Sequence, residues 1–172
     1  MTWTAVAPQS PAQVLELFPP FPVVLVSTRS NLLTVSMVHY FSFSPLRVGV
    51  AIARARHSHS LIHDEGEFAI NIPGPQMIEA VKSCGRLSGR DGDKFAATGL
   101  TAMPSIRVAA ASVEGCLAHV ECVVEREIGF EERTWYVGLV VAARRRDGGA
   151  LGQGLMAGRH GYVLPGEMVS PR

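Results

Sequence analysis

Two long β-rich segments place the strongest limit on how this chain can fold. Residues 112–125 and 134–146 are dominated by apolar and β-branched side chains, and they are joined across the short segment 129–133. This pattern predicts two long strands that pair antiparallel. Apolar strands of this length leave exposed edges unless further strands continue the sheet, so more strands are expected elsewhere in the chain.

Four shorter runs predict those further strands. Residues 22–28 and 32–38 flank the turn-prone segment 29–31 and predict a hairpin. Residues 47–53 and 67–72 predict two more strands, which gives five or six in all. The glycine-rich tail that begins at residue 147 is predicted to be irregular.

Only short helices are predicted between the strands. They cover residues 11–18, 58–65, 75–84 and a short piece within residues 88–100. Ser58 is the expected N-cap of the second helix, and Gly66 and Gly85 are expected to end the second and third helices. These helices do not give the regular βαβ alternation of a parallel sheet, so a mainly β fold, a closed antiparallel barrel, is favoured.

Length and hydropathy bear on domain count and assembly. The chain has 172 residues, the size of one ordinary domain, and we predict a single domain over residues 1–172. Hydrophobic residues make up 47% and charged residues 18% of the chain, and the mean hydropathy is +0.19. Because this composition is apolar for a protein of this size, we expect a second subunit to cover part of the surface.

Charge and cysteine content disfavour several classes of function. The 16 basic and 15 acidic side chains leave a net charge of +1, so no general attraction for nucleic acid is expected. Every apolar run is shorter than the roughly 18 residues that cross a bilayer, and the N-terminus has no leader pattern, which predicts a cytoplasmic protein without a membrane span. Cys84, Cys116 and Cys122 have no CxxC spacing and are expected to be small buried hydrophobes.

Hydroxyl side chains alternate with apolar ones between residues 31 and 45. Thr34, Ser36, Ser42 and Ser44 are interleaved with valine, methionine and aromatic residues. Such a strand offers an apolar face with hydroxyls and backbone amides at its end, which suits a flat ring that needs directional hydrogen bonds, such as a flavin. An ordinary strand with a polar rim explains the same residues, so this stretch alone leaves the ligand open.

A second polar stretch, residues 54–62, combines two arginines with a predicted helix start. Arg54 and Arg56 stand immediately before the helix that Ser58 is expected to cap. Free backbone amides, the positive end of the helix dipole and a bidentate guanidinium together favour a phosphate. A solvated basic turn explains these residues equally well.

These stretches occur in order with three further motifs. The motifs are GEFAINIP over residues 66–73, CGRLSGRDGDKF over residues 84–95 and VECVVE over residues 120–125. The series resembles the flavin-reductase-like, flavoredoxin-type family of FMN-binding split barrels, over roughly residues 22–141 and more weakly over residues 159–162. The resemblance implies a mainly β fold, an FMN-binding split β-barrel with a few short helices, and a homodimer with the flavin near the subunit interface.

The resemblance also implies which residues bind the cofactor. The matching positions are Asn31, Thr34, Ser36, Met37, Val38, Ser42, Phe43, Arg54, Arg56, His57, Ser58 and Lys94. By this likeness, Asn31 and residues 34–38 line the flavin, and residues 42–43 support the ring from the following turn. Residues 54–58 hold the phosphate, and Lys94 reaches the cofactor from its DKF sequence.

The activity that the resemblance implies is that of a flavin reductase. NADH or NADPH would reduce bound FMN, which would pass electrons to a free flavin, a partner monooxygenase or another acceptor. The cofactor carries this chemistry, so no catalytic side chain is assigned. The alternative is a non-enzymatic FMN carrier that receives electrons from a protein partner.

Two positions depart from the family pattern. Met37 stands where many relatives carry an aromatic residue, and the loop 129–133 lacks a histidine that is often found there. We expect Met37 to pack on the ring and Arg133 to replace the missing donor, with substrate preference left open. In the tail, Tyr162 is expected to cover the site.

Two other groups of side chains have competing explanations. His57, His59 and His63 form an H-x-H-x3-H pattern, and residues four apart on a helix could chelate a metal. No nearby cysteine adds a ligand, so surface histidines at an anion-binding helix start are favoured. Glu121 and Glu125 share one face of a strand and are expected to face water.

Overall fold

The computed structural model describes residues 2, 4–148, 151–158 and 160–166. The strands are β1 (Phe21–Pro22), β2 (Val24–Ser27), β3 (Leu32–Val35), β4 (Val38–Phe43), β5 (Leu46–Ala53), β6 (Glu67–Ile72), β7 (Ala102–Met103), β8 (Ser112–Val113), β9 (Ala118–Gly129), β10 (Arg133–Arg145), β11 (Met156–Gly158) and β12 (Gly161–Val163). The helices are α1 (Pro11–Leu15), α2 (His57–Glu65), α3 (Ile78–Arg86) and α4 (Lys94–Thr98), with 3₁₀ helices at Pro75–Met77 and Leu151–Gln153. No helix in the described part of the chain is long and apolar enough to cross a membrane.

Seven strands form one curled antiparallel sheet in the order β3-β2-β6-β9-β10-β5-β4. The mainly β, split-barrel fold predicted from the sequence is confirmed, and so is the hairpin of β2 and β3. The two edge strands, β3 and β4, are separated in sequence only by Ser36 and Met37. The chain therefore crosses directly from one edge of the sheet to the other, and a seam lies between the edges.

The prediction of a closed barrel is wrong, because the seam keeps the two edges of the sheet apart. In the described residues the sheet ends at β3 on one side and at β4 on the other, with no ladder joining them. The carbonyl of Met37 accepts a hydrogen bond from the amide of Ala51 at 2.9 Å, which ties the crossing segment to β5. The edges approach each other but leave space between them.

The long hairpin of β9 and β10 confirms the two predicted long strands. The first of them, β9, begins at Ala118, whereas the predicted strand began at residue 112. Gly115 has a φ of 82°, a left-handed conformation that favours glycine, and this turn divides the predicted segment 112–125 into β8 and β9. Two register shifts interrupt the β9–β10 ladder, between Val137 and Gly138 and between Val140 and Ala142. Such irregularities increase the local twist and help the sheet to curl.

Three strand regions were not predicted, and one of them is the two-residue strand β7, which pairs with β8. Residues 38–43 form the edge strand β4, where the sequence predicted the end of one strand and a turn. The tail was predicted to be irregular, yet β11 and β12 pair with each other, and β11 pairs with β1. Strands of two or three residues are fixed by these tertiary pairings and carry almost no local pattern of their own.

Helix boundaries also differ from the prediction: α1 ends at Leu15, and a 3₁₀ helix over Pro75–Met77 precedes α3. The N-cap residue of α2 is Arg56, without a side-chain cap, while Ser58 lies inside the first turn. Helix α3 continues through Gly85 to Arg86. A Cβ added at Gly85 would lie 3.6 Å from the Cβ of Thr34, an ordinary van der Waals contact, so Gly85 lies within α3 where the helix packs against β3.

The hydrophobic core lies on both faces of the sheet. The interior of the curl contains Val26, Ile52, Phe68 and Tyr136, and the outer cluster beneath α3 and α4 includes Val81. The three cysteines are free and buried, as predicted. Burial raises the pKa of both Cys116 and Cys122 to about 12, so these thiols stay protonated at neutral pH.

Glu121 does not face water, in contrast to the prediction. Its side chain is fully buried, and its two carboxylate oxygens accept hydrogen bonds from the amides of Ile106 at 2.8 Å and Arg107 at 2.6 Å. The segment around these two residues covers this face of β9. Glu125 remains partly exposed and pairs with Arg47 at 2.5 Å.

Candidate functional site

A cavity of about 580 Å³ opens at the seam between the two edges of the main sheet. Its walls are residues 33–39 and 51–53, together with the side chains of Arg56, Arg133 and Trp135. Leu15 and Phe21 from the N-terminal segment complete the lining. Most of these side chains are apolar, and Met37 is 39% exposed at the opening. A space of this size with apolar walls suits a flat organic ring. We call it the seam cavity.

A second, smaller cavity adjoins the seam cavity and is polar. Its volume is about 150 Å³, and it is lined by Asn31, Leu33, residues 55–58, residues 87–90 and Lys94. Leu33 and Arg56 line both cavities, so the two spaces are neighbours that share these walls. We call the second space the polar cavity.

The first turn of α2 presents hydrogen-bond donors to the polar cavity. The amide of Arg56 is bonded to the carbonyl of Ala53 at 2.9 Å, which forms the tight turn before the helix. No side chain caps the helix, so the amides of His57 and Ser58 have no partner among the described residues. Unpaired amides at a helix N-terminus favour an anion.

Asn31 adds a buried amide that is only half satisfied. Its Nδ2 donates to the Oγ of Ser58 at 2.8 Å, whereas its Oδ1 is buried without a partner among the described residues. A half-turn of the amide would let Ser58 donate to Oδ1 and would direct Nδ2 at the cavity. In either orientation one polar atom of Asn31 remains available to a ligand, and buried polar atoms are rarely left without a partner.

Lys94 contributes a buried positive charge. The residue is 3% exposed, and its Nζ donates to the carbonyls of Leu32 at 2.7 Å and Cys84 at 2.9 Å. An ammonium has three donors, so one remains for a ligand in the polar cavity. Burial lowers the pKa of Lys94, and the positive charge of Arg56 lowers it further. A bound anion would compensate both effects.

Gly89 keeps the opposite wall of the polar cavity open. A Cβ at this position would lie 2.7 Å from the Cγ of Asn31 and 3.0 Å from a ring carbon of His57, both too close without a shift. The neighbouring Arg90 donates to the carbonyl of Ala55 at 3.2 Å, which ties this loop to the turn before α2. The cavity is thus bounded by backbone at the point where a side chain would fill it.

Nine of the twelve predicted cofactor residues line these two cavities. The seam cavity receives Thr34, Ser36, Met37 and Val38, the polar cavity receives Asn31, His57, Ser58 and Lys94, and Arg56 contributes to both. The hydroxyl of Thr34 donates to the carbonyl of Val81 at 2.5 Å, so it also fixes α3 against β3.

The other three predicted residues lie outside both cavities. Ser42 donates to the carbonyl of Pro45 at 2.6 Å, and Phe43 is 75% exposed on the edge strand β4. The Nε of Arg54 donates to the carbonyl of Phe130 at 3.2 Å, and its amide donates to the carbonyl of Glu132 at 2.9 Å. Arg54 therefore fixes the β9–β10 turn in place.

Sequence reasoning missed several lining residues, among them Trp135, Phe21 and Gly89. Trp135 reaches the seam because it pairs with Ala51 across the β5–β10 ladder, and its ring contacts that of Phe41 at 5.4 Å. That register depends on contacts between segments far apart in the sequence. Only the glycine within the CGRLSGRDGDKF motif carried a local signal.

The histidines of α2 are engaged with neighbouring strands. His59 lies 2.9 Å from the hydroxyl of Thr134, and burial lowers its pKa. His63 lies 2.8 Å from Glu127, and this hydrogen bond raises its pKa. In the part of the chain that the structure describes, no three His, Cys, Asp or Glu side chains are arranged to hold a metal.

Tyr162, which was expected to cover the site, lines a different cavity beside α3.

The donor set of the site fits a phosphorylated flavin. The polar cavity brings together a guanidinium, an ammonium, unpaired helix amides and the unsatisfied amide of Asn31, which match a phosphate. The seam cavity continues from it with apolar walls and the hydroxyls of Thr34 and Ser36, which match a flat ring with polar edges.

Comparison with known proteins agrees with this chemistry. The chain matches the flavin reductase like domain over residues 19–163. It is 34% identical over 119 residues to an uncharacterized protein of Archaeoglobus fulgidus, a match that covers 69% of this chain and 67% of that protein.

Solved structures share the fold. The chain is similar to an NADH:FAD oxidoreductase from Streptomyces globisporus C-1027, with a TM-score of 0.84, 18% identity and coverage of 97% of this chain and 100% of that one. It is also similar to an FMN-binding protein from Thermus thermophilus with bound 1-cyclohex-2-enone, with a TM-score of 0.84, 23% identity and coverage of 99% of each chain. Since the domain match extends over most of its length, the chain belongs to the flavin reductase like family.

Proposed function

We propose that this protein is a flavin reductase that binds FMN and oxidises NADH or NADPH. The observation that carries the proposal is that the polar cavity and the seam cavity lie side by side and share Leu33 and Arg56 as lining residues. FMN has the same two-part chemistry, a phosphate at one end and a flat ring at the other. Each part of the ligand meets matching residues.

On the phosphate side, Arg56, Ser58 and Lys94 act as donors together with Asn31 and His57. The guanidinium of Arg56 has no partner among the described side chains and lies where both cavities meet, so it can bind a phosphate in a bidentate way. Ser58 and Lys94 are almost completely buried, which strengthens their interaction with an anion.

On the ring side, Thr34, Ser36, Met37 and Val38 line the flavin, and Trp135 closes the opposite wall. Arg133, which also lacks a partner among the described side chains, lies at the mouth of the seam. It supplies the donor that a histidine supplies in many relatives. Three of the predicted residues support the strands and the turn around the site without lining either cavity: Ser42, Phe43 and Arg54.

A bound flavin would accept a hydride from the nicotinamide and deliver electrons to a free flavin, a partner monooxygenase or another acceptor. The residues of the chain position the ring and exclude water from it, since the seam walls are mostly apolar. No acid or base is required from a side chain. Because the reaction uses a soluble nicotinamide, we expect the protein to act in the cytoplasm.

We also propose a homodimer that covers the exposed face of β4. Tyr40, Phe41 and Phe43 are 56%, 46% and 75% exposed on this edge strand, next to the seam. Exposed aromatic clusters of this kind mark interaction surfaces. Analytical ultracentrifugation should give twice the chain mass, and Phe43→Lys should shift the protein toward the monomer. A wild-type monomer at micromolar concentration would contradict the dimer.

Steady-state kinetics test the reductase proposal. Purified protein loaded with FMN should oxidise NADH or NADPH when free flavin is supplied as the acceptor, and Arg56→Ala should lower this rate at limiting FMN because the cofactor dissociates. A protein that binds FMN but oxidises neither nicotinamide would contradict the reductase and support the alternative, an FMN carrier reduced by a protein partner.

A further inference from the structure

A third cavity lies on the outer side of α3, away from the seam. Its volume is about 570 Å³, and one wall is the hairpin of β11 and β12. The side chains that matter for its chemistry are Ile78, Lys82 and Arg86 from α3 and His160 and Tyr162 from the hairpin. Residues 78, 82 and 86 follow each other at four-residue intervals, so α3 presents one continuous face to this cavity.

The charged side chains that line this cavity are all basic. Lys82, Arg86 and His160 contribute to its walls, and no carboxylate does so within the described residues. Lys82 pairs at 2.7 Å with Glu79, but Glu79 is 85% exposed, so the pair is weak and easily exchanged. The guanidinium of Arg86 has no partner in the part of the chain that the structure describes. Such a wall favours a ligand with negative charge.

The remaining walls offer an aromatic and an apolar surface. Tyr162 and Ile78 are partly buried and pack against the core cluster beneath α3. Gly85 leaves the wall between them without a side chain. Gly161 has a φ of 154°, a conformation that favours glycine, and it lies between His160 and Tyr162, which both line the cavity. An aromatic ring next to phosphate-binding cations is the combination that recognises a nucleotide.

The third cavity is close to the proposed flavin site. Arg86 is followed directly by residues 87–90, which line the polar cavity. Gly85 packs against Thr34, which lines the seam cavity. The third cavity and the polar cavity are therefore lined by consecutive residues of the chain, Arg86 and Leu87.

We propose that the third cavity binds the adenylate half of a dinucleotide whose other half occupies the flavin site. This inference rests on the proposed function and names the part of the ligand that FMN lacks. Lys82, Arg86 and His160 bind phosphate, and Tyr162 packs against the purine. The adenylate has two possible sources, FAD in place of FMN or the nicotinamide dinucleotide, and they differ in what the experiment measures.

The test compares wild-type protein with the double variant Lys82→Gln/Arg86→Gln. Dissociation constants for FMN and FAD are measured by flavin fluorescence, and KM values for NADH and NADPH are measured with FMN bound. Arg107→Gln, which removes a positive charge from the exposed loop beside Glu121, is the matched control. In each protein, circular dichroism checks that the fold is intact.

If the adenylate belongs to FAD, the double variant should bind FAD about tenfold more weakly and FMN as before, the loss expected for charge-assisted bonds to phosphate. If it belongs to the nicotinamide dinucleotide, KM should rise by a similar factor with FAD and FMN affinities unchanged. In wild-type protein, 5′-ADP should compete with the same ligand. The proposal is overturned if the double variant changes neither quantity or, should that variant not fold, if 5′-ADP competes with neither ligand. Failure of wild-type protein to bind FMN would instead overturn the proposed function.

Discussion

The side-chain amide of Asn31, at the start of β3, lies 2.8 Å from the hydroxyl of Ser58 in the first turn of α2. Both side chains are buried, at 3% and 2% exposure, so this contact joins the strand that lines the seam cavity to the helix that lines the polar cavity. The two halves of the proposed flavin site are thereby held in one geometry before any ligand binds. Preorganised donors of this kind lower the cost of binding.

Arg56→Ala and Ser58→Ala should each weaken FMN binding by about tenfold or more, because each removes a donor to the phosphate. Arg54→Ala is the matched control, since it removes an equal charge two residues away but its guanidinium is bonded to Phe130 outside the cavities. Fluorescence titration with FMN measures all three. Unchanged dissociation constants for Arg56→Ala and Ser58→Ala would contradict the phosphate assignment.

Gly89→Ala should weaken FMN binding without unfolding the protein. The added Cβ would lie 2.7 Å from the Cγ of Asn31, so the amide must move into the polar cavity or the loop must move away from it. Gly152→Ala is the control, because a Cβ there meets nothing within 4 Å. The same titration measures both variants, and equal FMN affinities would show that the wall at Gly89 does not border the ligand.

The sequence predicted the central strands well and the edges poorly. The strands β5, β6, β9 and β10 are long and dominated by apolar residues, so their patterns are strong. By contrast, β4 carries exposed aromatic and hydroxyl side chains next to Pro45 and resembles a loop, while β11 and β12 depend on pairing with β1. Local pattern is informative where one face of an element is buried in the main core, and weak elsewhere.

Some residues of the candidate site could be predicted from the sequence and others could not. The polar residues from Asn31 to Lys94 stand in recognisable motifs, so their types and order could be identified from the sequence. Trp135 and Phe21 enter the seam through strand register and tertiary contacts, which no local motif encodes. Glu121 was assigned to the surface because strand alternation identifies a face but not the loop that covers it.

FMN affinity should depend on pH through Lys94. Burial lowers the pKa of Lys94 below its usual range, and only the charged form, present below that pKa, attracts the phosphate. Affinity should therefore fall as the pH rises through the lowered pKa, and it should also fall below about pH 6, where the phosphate gains a proton.

Titrations between pH 5 and pH 10 on wild-type protein and on Lys94→Met test this dependence. The variant should bind FMN more weakly and lose the alkaline decline, whereas Lys82→Met, a lysine outside the flavin site, should retain it. An alkaline decline that persists in Lys94→Met would assign it to another group.

Trp135 should report the position of the ring. It lines the seam cavity, and the only other tryptophan of the chain is Trp3. FMN absorbs where tryptophan emits, so binding should quench tryptophan fluorescence. In Trp3→Phe, Trp135 is the only tryptophan of the chain, and bound FMN should quench its fluorescence strongly. Weak quenching in Trp3→Phe at saturating FMN would contradict a ring held in the seam.

Glu121→Gln should destabilise the fold and leave FMN binding intact. The carboxylate accepts two backbone amides while fully buried, and the amide side chain can accept only one of them, so the free energy of unfolding should fall by about 1–3 kcal/mol. Glu125→Gln, on the same strand but partly exposed, should change it by at most about 1 kcal/mol. Urea denaturation measures both, and equal effects would contradict a structural role for Glu121.

The central claim is that FMN occupies the two neighbouring cavities, with its phosphate in the polar cavity and its ring in the seam cavity. A crystal structure of the protein grown with excess FMN tests it most directly. We expect the FMN phosphate to lie within hydrogen-bond distance of Arg56, Ser58 and Lys94. We expect the ring to lie between β3 and β5 and beside Trp135. An empty or closed space in that crystal, or FMN bound elsewhere on the protein, would contradict it.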